Sequence, residues 1–322
     1  MRGGRPNRQA GATDVVQGVL EGFATIGTII ALGFVLAHIK VLEKDSQVLL
    51  SRLSFFVASP ALMVTVLGNA DIANVFSKNL AASAGAVAVT AAVYISLARL
   101  LWHKNTGDTV IGTLCSAYVN AGNLGLPIAS YVLGDAALVA PILLLQLLVL
   151  QPLALAALDH AASRRALSVR GSITTALSNP LTVGSLVGLA LALTHSELPS
   201  AIHEPLVLVG GMAVPAMLLA YGVSLRFGPL PGTGVSAAEI ACITTLKMIV
   251  QPVAAYLIAR FALGLDGTAL FAVTILAALP TAQNIFVHAT RYGRSVVVAR
   301  DSIFLTTVLS VPALFVITAV LA

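Results

Sequence analysis

Charged residues are scarce in this sequence, and the scarcity excludes an ordinary water-soluble protein. Only 10% of the 322 residues are Asp, Glu, Lys or Arg, whereas 58% are hydrophobic. Soluble domains carry about 25% charged residues, so these side chains are too few to cover a soluble globule. The apolar residues come in continuous runs, which excludes an outer-membrane barrel with alternating apolar and polar residues. The sequence therefore predicts an all-α integral membrane protein.

Several other features are rare or missing, and each narrows the function. Cys115 and Cys242 are the only cysteines and lie in apolar runs, where small buried hydrophobic residues are expected. The histidines lack the spacing of metal ligands, so no metal or other cofactor is expected. The motifs of serine hydrolases, zinc proteases and phosphate-binding loops are missing, which argues against an enzyme or an ATP-driven pump. Basic residues are scattered rather than clustered, so no nucleic-acid partner is expected.

Ten apolar stretches are long enough to cross a membrane, because a spanning helix needs roughly 20 residues. The predicted spans are 15–38, 47–68, 79–102, 108–132, 136–158, 172–194, 202–225, 235–263, 268–290 and 296–321. Residues 159–171 form a short basic loop between two sets of five spans. The first five-helix repeat is therefore predicted at 1–158 and the second at 172–322. Because five is odd, the second repeat enters the membrane with the opposite orientation.

Internal similarity supports this inverted repeat. The motif Pro60-Ala61-Leu62-Met63 in the second span recurs as Pro215-Ala216-Met217-Leu218 in the seventh, the second span of its own half. The fourth and ninth spans are each expected to be interrupted midway, near Pro127 and Pro280. Inverted repeats with broken helices near the membrane centre are typical of secondary transporters.

The distribution of basic residues predicts the orientation in the membrane. Loops after odd-numbered spans hold most of the 18 Lys and Arg residues, among them Lys40, Arg165 and Arg294. Cytoplasmic loops carry an excess of Lys and Arg. We therefore expect a multi-pass protein of the cell membrane with both termini outside and the loop 159–171 in the cytoplasm.

The first interrupted segment, Tyr118–Pro127, carries amides and glycines at the expected break. Asn120 and Asn123 lie beside Gly122 and Gly125, which tolerate unusual backbone conformations. The final proline removes a backbone donor. A broken helix exposes backbone groups and aims a positive dipole end into the bundle, which suits an anion. The alternative is a simple proline kink whose amides bond to the loosened backbone.

The second interrupted segment repeats this pattern in the other half of the chain. Pro280 is followed by Thr281, Gln283, Asn284 and Phe286. Because the two segments occupy matching positions in the two repeats, we expect them to cross at the centre and to face one cavity. The duplication favours a binding site over two unrelated kinks.

The two segments resemble the crossover segments of the auxin efflux carrier family, which includes plant PIN-FORMED proteins and bacterial malonate or malate carriers. The resemblance rests on the Asn–x4–Gly–x–Pro spacing from Asn120 to Pro127 and on Ala278-Leu279-Pro280 with the amides that follow. It implies an NhaA-like or bile-acid-symporter-like fold, with scaffold helices 1, 2, 6 and 7 and transport helices 3–5 and 8–10. It also implies a small organic anion as substrate and an elevator-type movement. The long hydrophilic loop of the plant carriers is missing, which favours a bacterial-type member.

The resemblance also implies roles for single residues. Asn120 matches the crossover asparagine that contacts the substrate carboxylate, and Gln146 looks like the polar fifth-span residue of the same pocket. Independently of the resemblance, Phe286 is expected to meet the hydrocarbon part of the substrate, because it is an apolar residue beside the second break. Lys247 is the only basic residue deep in a span. It would either attract the anion or, as in NhaA-like folds, neutralise the negative ends of the broken helices, and the second role is favoured.

The sequence therefore predicts a secondary transporter for a carboxylate such as malonate, malate or an auxin-like acid. A sodium-coupled symporter is one alternative, because Asn123, Gln283 and Asn284 offer oxygens to Na⁺, and coupling to Na⁺ or H⁺ is left open. An anion channel is less favoured, because polar residues cluster at the two breaks. His288 is expected to be a hydrogen-bonded packing residue rather than a proton carrier. The expected partners are the small anion and membrane lipid, and a homodimer is left open.

Overall fold

The computed structural model of the chain is helical throughout its described part. It describes residues 12–69, 78–125, 128–129, 132–163, 180–227 and 236–321. Within these ranges the only extended pairing is a single antiparallel bridge between Val119 and Thr281. Apolar sequences of this length form helices in lipid, because a helix satisfies its own backbone hydrogen bonds.

Eleven helices within the described ranges are numbered in chain order. Their bounds are α1 Ala12–His38, α2 Lys44–Gly68, α3 Lys78–Leu100, α4 Thr106–Ala117, α5 Ala140–Ala162, α6 Pro180–Thr194, α7 Ser200–Phe227, α8 Ala237–Ala262, α9 Gly267–Ala277, α10 Asn284–Tyr292 and α11 Val296–Leu321. Six of them, α2, α3, α5, α7, α8 and α11, are long and apolar enough to cross a membrane. Shorter apolar helical stretches cover Gly27–His38, Val183–Thr194 and Gly267–Ala277. The predicted helical membrane protein is confirmed.

The outer faces of the helices carry large apolar side chains, as a lipid-facing surface requires. Leu208 is 77% exposed and Phe261 is 75% exposed. The buried core instead collects around the two interrupted segments, where Val119, Leu279 and Ile285 are completely buried. The interior thus holds the two segments in place from all sides.

Glycines bring two pairs of helices into direct backbone contact. A β-carbon on Gly222 of α7 would lie 2.1 Å from the Ile30 carbonyl oxygen of α1. In the second pair, a β-carbon on Gly184 of α6 would lie 2.6 Å from the Pro60 carbonyl oxygen of α2. Small residues at such crossings allow close packing where lipid provides no hydrophobic driving force between helices. The helix pairs α1–α7 and α2–α6 are therefore fixed by backbone contact.

Candidate functional site

Two extended stretches of backbone cross at the centre of the described structure. The first, Tyr118–Asn120, follows α4, and the second, around Thr281, lies between α9 and α10. The Asn120 amide donates to the Pro280 carbonyl oxygen at 2.8 Å, and the Ala282 amide donates to the Tyr118 carbonyl oxygen at 3.1 Å. The two interruptions thus satisfy each other's backbone groups.

The first interruption lies earlier in the chain than the sequence predicts. The helix α4 ends at Ala117, whereas the sequence predicts a break near Pro127. Pro127 itself lies outside the described residues. The physical reason is tertiary, because pairing with the segment around Thr281 replaces the helical hydrogen bonds of Tyr118–Asn120. A wide helical turn, Ala121–Gly125, resumes directly after the extended stretch.

Side chains from neighbouring helices complete the crossing. The Gln146 Nε2 of α5 donates to the Val119 carbonyl oxygen at 2.8 Å. The Thr281 amide donates to the Thr306 Oγ1 of α11 at 3.1 Å, and the Thr281 Oγ1 donates to the Cys115 carbonyl oxygen at 2.6 Å. Buried backbone groups that lack helical partners need such bonds, since an unpaired one costs about 1–3 kcal/mol.

Lys247 and Gln251 of α8 join the carboxyl ends of both half-helices. The fully buried Lys247 Nζ donates to the Ala277 carbonyl oxygen, at the end of α9, at 3.0 Å. It also donates to the Gln251 Oε1 at 2.7 Å, and the Gln251 Nε2 donates to the Ala117 carbonyl oxygen, at the end of α4, at 2.9 Å. Helix carboxyl ends carry partial negative charge, which a cation stabilises. Lys247 therefore makes the contacts expected of a residue that neutralises the negative ends of the broken helices.

Two wide helical turns place these polar side chains. Gln146 lies in the π-helical turn Leu145–Leu150 and Lys247 in the π-helical turn Leu246–Val250. Each turn is followed by a Gln-Pro pair, Gln151-Pro152 or Gln251-Pro252. A proline cannot donate to the carbonyl four residues before it, so the preceding turn widens. The sequence Gln-Pro therefore accounts locally for both turns.

A small pocket of about 80 Å³ lies beside the crossing. Asn120, Gly122 and Asn284 line it from the two interrupted segments, and Gln146 lines it from α5. The opposite wall consists of residues from α2 and α7, namely Ser59, Leu62, Met63, Ala213 and Met217. Every polar side chain at its wall is an uncharged amide or hydroxyl.

A larger cavity of about 420 Å³ lies between two groups of helices. The helices α1, α2 and α7 form one wall, and α10 and α11 form the other. Gln283, Phe286 and Arg300 line the second wall. Met217 lines this cavity as well as the small pocket, so one methionine side chain borders both.

The structure brings some of the predicted site residues together and separates others. Asn120, Gly122, Gln146 and Asn284 share the small pocket. Gln283 and Phe286 line the larger cavity instead. Three further predicted residues line neither space. The Pro280 carbonyl oxygen accepts a hydrogen bond at the crossing, Gly125 packs closely on Val139, and Lys247 donates to the end of α9. The Asn123 side chain and Pro127 lie outside the described part of the structure.

Several residues of the site were not predicted from the sequence. Gln251 links the two helix ends, and Met217 borders both spaces. The signals were present, because Gln251-Pro252 repeats Gln151-Pro152 and Met217 belongs to the duplicated proline motif. Tyr118, which also lines the small pocket, was part of the first interrupted segment.

Some buried polar atoms of the described residues have no hydrogen-bond partner. Among them are the Gln151 Nε2, the Asn284 Oδ1 and the His288 Nε2. The expectation of a hydrogen-bonded His288 is therefore wrong for its Nε2, because no donor or acceptor of the described residues reaches this atom. Within the same ranges, no group of three or more His, Cys, Asp or Glu side chains could hold a metal ion.

Comparisons with known proteins point to transport. The sequence model of a family described as "Membrane transport protein" matches residues 19–318. A protein of Rhizobium meliloti (strain 1021) described as "Putative malonate transporter" is 25% identical over 289 residues, covering 88% of this chain and 89% of the relative. An "Uncharacterized transporter" of Methanothermobacter thermautotrophicus (strain Delta H) is 26% identical over 307 residues, covering 93% and 97% of the two chains.

Proposed function

Because the chain belongs to the auxin efflux carrier family of membrane transport proteins, we propose that it is a secondary carrier of small organic anions. The small pocket at the crossing of the two interrupted segments carries this proposal. Amides from both halves of the chain, Asn120 and Asn284, converge there beside Gln146. Such a convergence at a break in the helices is typical of transporter binding sites.

A carboxylate suits the pocket although none of the described residues that line it carries a charge. Amide groups donate hydrogen bonds to carboxylate oxygens. The helix α10 begins at Asn284, so the positive end of its dipole lies at the pocket and favours an anion. A pocket built from neutral donors and a helix dipole holds an anion without burying a fixed charge when it is empty.

Two features support the inverted repeat. Leu62 and Met217 occupy the same place in the duplicated proline motif, and both line the small pocket. The close helix pairs α1–α7 and α2–α6 join the first span of each half to the second span of the other half. An inverted repeat of ten spans generates both correspondences, since its two halves are related by a pseudo-two-fold axis.

The two cavities suggest the route of alternating access. The larger cavity separates α1, α2 and α7, three helices of the predicted scaffold, from α10 and α11, which belong to the predicted transport group. The loops at this end hold more Lys and Arg, which supports a cytoplasmic opening of the cavity. A sliding movement of the transport helices would carry the small pocket past the scaffold residue Met217. The anion would then enter from the larger cavity or leave through it.

The replacement of Asn120 by alanine tests the binding site. Asn120→Ala should fold normally but bind malonate about ten- to a hundredfold more weakly, because a hydrogen bond to a charged group contributes about 1.5–3 kcal/mol. The measurement is the malonate dissociation constant of purified protein in detergent, together with uptake of labelled malonate into proteoliposomes.

A surface asparagine provides the matched control. Asn69, exposed at the end of α2, donates only to the Thr65 carbonyl oxygen of its own helix. Asn69→Ala should therefore bind and transport like the unmodified protein. Equal malonate affinity in both variants would remove Asn120 from the site. Uptake that neither saturates nor shows counterflow would favour a channel, and uptake that requires Na⁺ would favour the sodium-coupled alternative.

The size of the small pocket predicts a preference for short acids. A cavity needs about 10–15 Å³ to hold one water. The pocket of about 80 Å³ therefore has room for several waters. That space suits a three- or four-carbon carboxylate better than the larger molecule indole-3-acetate. Malonate should raise the melting temperature and block uptake of labelled malonate, whereas indole-3-acetate should do neither at equal concentration. Stronger protection by indole-3-acetate would contradict this preference.

A further inference from the structure

We propose that His288 binds a proton when an anion occupies the small pocket, which makes the protein an anion–proton symporter. The inference rests on the proposed carrier function and adds its coupling ion. It comes from a line of buried polar groups that begins in the small pocket and continues along α10 towards the end of that helix.

The line begins with Tyr118 and Asn284, which both line the small pocket. The Tyr118 Oη donates to the Gln151 Oε1 of α5 at 3.3 Å. His288 lies four residues after Asn284, so the two side chains share one face of α10, about one turn apart. One further turn along this face, the Tyr292 Oη donates to the Asp159 Oδ1 of α5 at 2.7 Å.

Three polar atoms along this line lack hydrogen-bond partners among the described residues. The Gln151 Nε2, Asn284 Oδ1 and His288 Nε2 are buried without a hydrogen bond to any described residue. His288 is only 6% exposed, and Gln151 only 2%. Because an unsatisfied buried polar atom costs about 1–3 kcal/mol, these three atoms are suited to bind a polar ligand or a proton.

The acidic side chains around His288 already have partners. The negative charge that would stabilise a protonated His288 therefore has to come from the substrate. On its own helix, Arg291 places a positive charge beside the imidazole. Asp159 of α5 accepts from Tyr292. On α4 and α11, which pack against α10, the acidic groups are engaged: Asp108 of α4 accepts from Ser295 and Asn105, and Asp301 of α11 pairs with Arg300. Cys115 is the remaining titratable side chain of α4 and is buried.

An anion in the pocket changes this balance. A buried imidazole beside a positive charge gains a proton only at a high electrostatic cost, whereas a carboxylate at Asn284 provides an opposite charge about one helical turn away. The proton adds to the free lone pair of the His288 Nε2 and comes from water. It returns to water when the anion leaves on the other side, so one proton crosses with each anion.

Calorimetry of malonate binding tests the coupling directly. Titration of the purified full chain at pH 7 in two buffers of different ionisation enthalpy gives the number of protons taken up per malonate. We expect close to one proton for the unmodified protein. Because linkage changes affinity up to tenfold per pH unit for one proton, the dissociation constant should rise about three- to tenfold between pH 6.5 and 7.5.

Two histidine variants complete the experiment. His288→Gln should still bind malonate but take up no proton, and its dissociation constant should not change over this pH range. The control His203→Gln, on the partly exposed side of α7, should behave like the unmodified protein. Should His288→Gln fail to fold, the proton count of the unmodified protein still decides, because a count of zero overturns the proposal.

The outcomes separate this inference from the carrier function. Malonate binding and transport without proton uptake, or unchanged proton uptake in His288→Gln, would overturn the proton site and leave the carrier intact. If the unmodified protein neither binds nor transports malonate, malate or other short carboxylates, the carrier function fails, and the proton site fails with it.

Discussion

Replacement of Lys247 by methionine should lower the stability of the protein by about 2–5 kcal/mol before any substrate is added. The change leaves the Ala277 carbonyl oxygen and the Gln251 Oε1 without their buried donor. The end of α9 also loses the cation that offsets its partial negative charge. Methionine fills a similar volume and removes a buried amine, which offsets part of this loss.

The stability change distinguishes the two roles considered for Lys247. If Lys247 attracted the substrate, Lys247→Met would keep its melting temperature and lose only the protection by malonate. Because Lys247 contacts the helix ends, we expect the melting temperature in detergent to fall without ligand. The measurement is a thermal unfolding curve of each purified variant, with and without malonate.

Gln251→Leu is the matched variant, because it breaks the same bridge from the other side. It removes the donor to the Ala117 carbonyl oxygen and the acceptor of Lys247. It should also unfold at a lower temperature, and the double variant should lose less than the sum of the single losses, as expected for residues in one network. Additive losses, or an unchanged melting temperature in Gln251→Leu, would contradict the bridge.

Addition of one methyl group to Gly222 should destabilise the protein by about 3 kcal/mol or more, because overpacking costs 1–3 kcal/mol even where neighbours can move. Here the nearest atoms belong to backbone: the Ile30 carbonyl oxygen would lie at 2.1 Å and the Phe34 amide nitrogen at 2.7 Å. Relief requires separation of α7 from α1. We expect Gly222→Ala to express poorly and to aggregate in detergent at lower temperatures.

Gly27 offers a control on the same pair of helices. Among the described residues, no atom lies within 4 Å of a β-carbon built on Gly27 of α1. Gly27→Ala should be neutral or stabilising by up to about 1 kcal/mol, because alanine favours a helix over glycine. Gly184→Ala, at the α2–α6 crossing, should resemble Gly222→Ala. Equal stability of Gly27→Ala and Gly222→Ala in thermal unfolding would rule out the close approach of the helices.

The positions of the six long helices were accessible from the sequence because lipid imposes a length and an apolar composition on every spanning segment. The ninth-span interruption was equally accessible, since Pro280 cannot donate a helical hydrogen bond. The first interruption was assigned to Pro127 because its real cause, the pairing of Asn120 with Pro280, joins residues far apart in the chain.

It was harder to predict which side chains line the site than to predict which segments of the sequence form it. Gln283 and Asn284 are neighbours in the sequence, yet they line different cavities because successive helical residues point about 100° apart. The bridge through Gln251 depends on where three helices meet, which no spacing in one segment reveals. Lys247 was recognisable because a basic residue deep in an apolar span is rare.

The backbone pairing between Tyr118–Asn120 and the segment around Thr281 makes the two halves of the chain mutually dependent. A half produced alone would expose a short stretch of peptide groups to hydrocarbon without hydrogen-bond partners, which is energetically unfavourable. Neither half, in its present form, is therefore expected to fold on its own. If the gene were cut between α5 and α6, the two fragments would need to assemble in the same bilayer before either acquired a stable interior.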